Sequence, residues 1–300
     1  MKRPLFFKRW GKTLSVASMT LVFAAFMACT PEPTPDDPTP DSPTPEQPTP
    51  DNPTPGDPTP DDPTPGGGST SGDSWAHLIN ETPHEVQLNG NTLTYGDHVY
   101  TVNGEINLSG TVFNQPTAYV TFTNIPSGYT EFEAVYTNLL GKSIQGTAAM
   151  IPMAFEMYGR DAELGERCLN LLCNSSSTVA GIVRILRTKF NYSAYSPEND
   201  QYIQRYMPAA LLKGAVNTNA YTPDEPYTVE MCRSAASGPQ DAPLTGGTVY
   251  YIYILAHGWD SFQRSVEIFQ AYNSDMYKVF NCPATYTQCK NIIGTWPGLK

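Results

Sequence analysis

Residues 248–256, TVYYIYILA, decide the reading of the folded part of this 300-residue chain. The run is apolar on both of its alternating faces. A strand of that kind needs neighbours on each edge and cover on each face. It is therefore expected to be the central strand of a sheet. Just upstream, Tyr227, Val229 and Met231 alternate with Thr228, Glu230 and Cys232, the pattern of a half-buried edge. Arg264–Ala271 and Met276–Asn281 complete a set of four strands joined by short turns.

Further toward the N-terminus, residues 84–125 alternate apolar and polar side chains around two Asn-Gly pairs, Asn89-Gly90 and Asn103-Gly104. Asn-Gly between short apolar runs is the strongest local hairpin signal, because both residues accept the backbone of a tight primed turn. With a further strand over Tyr119–Ile125, residues 73–125 read as a small β-meander. Between the strand zones, residues 126–215 read as helical. Leu164, Cys168, Leu171 and Leu172 recur at helical spacing behind Asp161, placed as an N-cap, with Glu163 in the first turn. Val179, Ile182, Val183, Leu186 and Phe190 mark a second amphipathic helix, led in by Ser175–Ser177. A helix near 145–158 contains Pro152, which predicts a kink or a late start, and Gly159 is placed as its C-cap. Strands, helices and strands in that order predict an α+β fold: an antiparallel sheet packed against a central block of helices and preceded by a small β-meander, in one globular unit over 73–300.

Several separated segments carry a family resemblance: LLGKSIQGTAAM (139–150), YMPAALLKGA (206–215), PYTVEM (226–231), GGTVYYIYI (246–254) and YKVFNCPATYTQCKNIIGTW (277–296). Over roughly 130–300 the chain resembles a domain of unknown function found in secreted lipoproteins of Bacteroidota. The resemblance implies an envelope or surface protein, with an acidic patch after the lipidated cysteine linked to export onto the outer face. It carries over no catalytic residue, and it leaves out the meander and everything before it.

The N-terminal 72 residues fit that context on their own chemistry. Lys2, Arg3, Lys8, Arg9 and Lys12 form a basic n-region, and Leu14–Met27 is an uncharged, largely apolar h-region too short for a bilayer span. Phe26 and Met27 spoil ordinary leader cleavage, whereas a cut between Ala28 and Cys29 resembles the bacterial lipoprotein signal. Cys29 is thus the expected lipidation site, and each buried CH₂ of its acyl chains adds about 0.8 kcal/mol of membrane affinity. From 36 to 65 the chain repeats a five-residue unit: DDPTP, DSPTP, EQPTP, DNPTP, GDPTP, DDPTP. Proline fixes φ and removes donors, so extended polyproline II is what remains open to it. At about 3.1 Å per residue, Thr30–Gly72 spans on the order of 130 Å. The expected location is the outer membrane of a bacterium, facing outward, with the membrane as partner through the lipid.

The whole chain carries a formal charge of −11; five bases fall in the leader and nine acids in the stalk, which leaves −7 on residues 73–300. The bases of that acidic remainder are scattered, which argues against nucleic acid as a partner. No phosphate loop, nucleophile elbow, H-E-x-x-H, C-x-x-C or EF-hand loop occurs, and the four histidines stand at no ligand spacing, so neither cofactor nor metal is expected. The sharpest catalytic arrangement open to the sequence is Cys282 as nucleophile, His257 as base and Asp260 as orienter. Cys282 and Cys289 flank a proline-containing turn that a disulfide would close. Trp259 beside Asp260, placed at a hairpin tip, is the candidate ligand contact. Glu131 and Glu133 read as a solvated strand face. The expected function is a non-catalytic, stalk-tethered module that binds an extracellular glycan, peptide or protein partner. The alternatives are a hydrolase with a Cys/His or carboxylate site and a structural component of an envelope assembly.

Overall fold

The computed structural model describes residues 82–190, 203–235 and 238–300. The leader, Cys29 and the stalk lie outside those residues. The elements are β1 (Val86–Asn89), β2 (Thr92–Tyr95), β3 (His98–Gly104), β4 (Ala118–Phe122), α1 (Tyr129–Asn138), α2 (Ile144–Arg160), α3 (Ala162–Leu172), α4 (Ser176–Phe190), the single-turn α5 (Met207–Ala210), β5 (Tyr227–Arg233), β6 (Gln240–Ala242), β7 (Gly247–Leu255), β8 (Gln263–Ala271) and β9 (Tyr277–Asn281).

Among the described residues, nine strands join one antiparallel sheet in the order β1-β2-β3-β4-β5-β7-β8-β9, with β6 also paired to β7. The fold is α+β as expected, and residues 248–255 fall on β7, flanked on one side by β5 and β6 and on the other by β8. The meander is continuous with the C-terminal strands, because β4 pairs with β5 from Ala118↔Met231 to Phe122↔Tyr227. Among the described residues, α1–α5 are all inserted between those two neighbouring strands. They pack on one face of the sheet, where Tyr100, Phe122, Val229, Ile252, Ile254, Val266 and Ile268 join the buried side chains of α1–α5 in a single core. Helix α2 lies at the centre of that layer, with every residue from Gln145 to Tyr158 buried, as befits a helix apolar around its whole circumference.

Three local expectations are corrected. Asn103-Gly104 is no hairpin turn: both residues end β3 and pair with Tyr119 and Ala118. Gly104 has φ +69°, and a Cβ there would lie 2.4 Å from the Thr117 carbonyl, so glycine is needed for strand packing. The β2–β3 turn instead falls at Gly96-Asp97, between Tyr95 and His98. Helix α2 does not start late: it runs from Ile144 through Pro152 to Arg160, and the Ser143 hydroxyl caps it by accepting from the Gly146 N–H at 3.0 Å. Gly159 is no C-cap either, since α2 runs on to Arg160. A Cβ on Gly159 would meet the Arg205 guanidinium at 2.2 Å, so its missing side chain makes room for that contact. The Asp161 cap of α3 is as expected, accepting from Leu164 N–H at 2.9 Å, and Ser175 Oγ accepts from Thr178 N–H at the start of α4.

Candidate functional site

The residues singled out from sequence converge only in part: Trp259 and Asp260 line one open pocket of about 270 Å³ with Arg264, Cys289 and Lys290, without His257 or Cys282. Trp259 is 5 % exposed; its Nε1 donates to the Thr287 carbonyl at 3.3 Å, and the Arg264 guanidinium lies 5.0 Å from its ring. Burying a large aromatic ring contributes more than any polar flank at a loop tip, so Trp259 joins the core rather than forming a contact plate. Asp260 points outward and meets Lys290 Nζ at 3.4 Å, and His257 is exposed with its ring stacked on Phe262. Cys282 is 1 % exposed and follows β9. Strands β7 and β9 point the same way, yet β9 has five residues against nine and stops early. Asn281 is abreast of Glu267, and Val266 is abreast of Ile252. Cys282 therefore lies level with the middle of β7, and His257 stands roughly 15 Å further along at about 3.3 Å per residue. The Cys282–His257–Asp260 arrangement is not assembled.

The disulfide between Cys282 and Cys289 is likewise absent, and both thiols are free. The turn it would close is held by the Cys282 carbonyl, which accepts from the Thr285 N–H at 3.0 Å and from its hydroxyl at 2.7 Å. Cys289 is engaged elsewhere, exchanging backbone hydrogen bonds with the buried Gln204 side chain at 2.7 and 2.9 Å. Burial pushes both thiols up to about 12 and Cys232 up to about 11. Since the thiolate is the reactive form, all three are inert at neutral pH. A soluble thiol reagent at pH 8 is expected to modify Cys168, Cys173, Cys232, Cys282 and Cys289 at least a hundredfold more slowly in the native protein than in denaturant. Rapid native labelling of Cys282, read by peptide mass, would refute that.

Two buried carboxylates escaped the sequence reading. Glu131 is on α1, not on a solvated strand face, and is fully buried. Its Oε1 accepts from Tyr100 OH at 2.7 Å and lies 2.7 Å from His98 Nδ1; its Oε2 accepts from Ser127 N–H at 2.7 Å and Ser127 Oγ at 2.8 Å. Burial first, and then the Glu131 charge, push the Tyr100 hydroxyl strongly upward, so it remains a donor. The spacing Ser127-x-x-x-Glu131 ahead of an apolar run was the available signal, a near relative of the capping box. Glu156, 2 % exposed on α2, takes Arg205 in a fork at 2.6 and 2.9 Å and Arg160 Nε at 3.1 Å. Glu131 thus has two polar partners on each oxygen, while Glu156 takes two donors on Oε1 and one on Oε2.

The side of the sheet away from the helices is where polar and aromatic groups remain open. Cross-strand partners share a face. Tyr253 stands with Ser265 and with Cys232, itself fully buried with its Sγ 3.2 Å from the Phe113 carbonyl, and Tyr251 stands with Glu267 and Asn281, none of them in the main core. Tyr251 and Tyr253 are half-buried, and Tyr251 OH donates to Gln240 Oε1 at 3.1 Å. The half-buried Phe280 extends the aromatic strip, its ring centroid 6.2 Å from that of the buried Phe269. Partial burial raises the Glu267 carboxyl above its ordinary range. Along the same face, Thr92, Thr101, Thr121 and Thr228 form a hydroxyl row across β2–β5.

Among known proteins, the model of one family, a domain of unknown function (DUF6935), matches residues 124–293. The chain belongs to the DUF6935 family. The DUF6935 segment takes in α1–α5 and β5–β9 and leaves β1–β4 outside, although β4 is hydrogen-bonded to β5 throughout its length. Glu131 lies within the DUF6935 segment, while its partners His98 and Tyr100 lie outside it. No curated protein and no solved structure matches the chain.

Proposed function

We propose that this protein is a lipid-anchored module of a bacterial outer membrane, facing outward on its acidic stalk, which binds a glycan through the open face of its sheet. The leader, Cys29 and the Pro-Thr-Pro repeat support the tethered part of that reading. One observation carries the binding part: on an antiparallel sheet the solvent face is ordinarily polar, whereas here the half-buried rings of Tyr251, Tyr253 and Phe280 lie on it beside Glu267 and a threonine row. Tyrosine offers a large rigid contact at little entropic cost, and flat aromatic faces next to hydroxyl and carboxyl groups suit a ligand with apolar ring faces and many hydroxyls. The test is binding of the full-length chain to an array of extracellular polysaccharides and peptides. Saturable binding to one or more polysaccharides is expected. Binding confined to peptides would reject the glycan, and no binding at all would reject the module reading.

A further inference from the structure

A second site is carried by the helical layer, independently of the sheet face. The C-terminal end of α2, the first turns of α3 and the last turn of α4 line a broadly open cavity of about 450 Å³. That volume falls in the range of small-ligand sites. Its apolar wall is Tyr158 and Phe190, with ring centroids 6.3 Å apart, and the Arg205 guanidinium lies 5.4 Å from the Phe190 ring. Arg160 reaches the cavity already fixed, with Nε on Glu156 Oε1 at 3.1 Å and Nη2 on the Leu299 carbonyl at 3.2 Å. Arg187 lines the same cavity from α4, and Glu163 and Glu166 line it from α3; all three are exposed.

Among the described residues, none of these last three side chains forms an ion pair. Glu163, Glu166 and Arg187 thus line one cavity without forming an ion pair with one another. A ligand that is only an anion would be repelled by Glu163 and Glu166, and one that is only a cation by Arg160 and Arg187. A ligand with both charges is attracted by each pair, and the guanidinium fork matches a carboxylate.

We infer that this cavity binds a short peptide with both termini free. Its carboxylate meets Arg160 and Arg187, its ammonium meets Glu163 and Glu166, and an apolar side chain rests on Tyr158 and Phe190. Calorimetric titration of the full-length chain with the dipeptide leucylphenylalanine tests this. Saturable binding is expected, weakened about tenfold or more by N-acetylation, by C-amidation and by Arg187→Gln, in line with loss of one charge-assisted contact. Arg187 is exposed, so its variant should keep the native melting temperature, and Arg184→Gln, on α4 outside the cavity, should bind as the parent does. Equal binding of the blocked dipeptides, equal binding by Arg187→Gln, equal binding of free phenylalanine, or no heat of binding at millimolar dipeptide would each overturn the assignment.

Discussion

Replacing Glu156 by alanine is expected to lower the unfolding free energy by about 3–5 kcal/mol, the usual penalty for removing one partner of a buried ion pair. At this domain size that is a drop in melting temperature on the order of 10 °C. The size of the effect follows from what is left behind. Arg205 keeps its Nε bond to the Gly159 carbonyl at 3.2 Å and its place 5.1 Å from the Trp296 ring, but loses both legs of its fork. Arg160 loses its ion pair as well. The network ties α2 to the segment entering α5 and to the C-terminal tail at Leu299, so three parts of the chain loosen together. The exposed pair Lys300–Glu225 is the internal comparison: both side chains are more than half open to water, and Glu225→Ala should cost less than about 1 kcal/mol. Equal effects at the two sites in denaturant unfolding would show that the Glu156 node is no more than a surface contact.

Replacing Glu131 by alanine should cost about 2–4 kcal/mol, concentrated on one partner. Ser127 is exposed and His98 retains 17 % of its side-chain surface, so water can replace the carboxylate for both. Tyr100 is fully buried, and its hydroxyl would be left without an acceptor, a penalty of about 1–3 kcal/mol by itself. The remainder is the void under α1. A double-mutant cycle separates the two contributions: Tyr100→Phe in the Glu131→Ala background should restore roughly 1 kcal/mol, while in the parent it should destabilise. Additive effects would mean that the 2.7 Å contact stores no coupling energy. Because Tyr100 and His98 precede the DUF6935 segment, the same measurement reports how far that segment depends on the meander.

The parts of this fold legible in the sequence are those fixed by local chemistry. An apolar run on both faces marks a central strand wherever it occurs, and Asp161 and Ser175 cap their helices through atoms three residues away. What misled was local chemistry overruled by partners far along the chain. Asn103-Gly104 has the composition of a turn, but β4 offers five cross-strand pairs that keep β3 extended. Trp259 has the neighbours of a loop-tip contact, yet Thr287 and Arg264 enclose it. Glu131 and Glu156 look like solvent-facing acids because their donors are 4 to 49 residues away in sequence. The aromatic face is half legible: Tyr251 and Tyr253 belong to a strand apolar on both sides, and only the helix placement tells which side stays uncovered.

Recognition of a glycan by the sheet face, as proposed, is tested by the affinity of a Tyr251→Ala/Tyr253→Ala double variant for a polysaccharide bound by the parent. Truncating two aromatic anchors at the centre of a contact should weaken binding by at least about tenfold, with the protein still folded. Undiminished affinity in a folded double variant would contradict it.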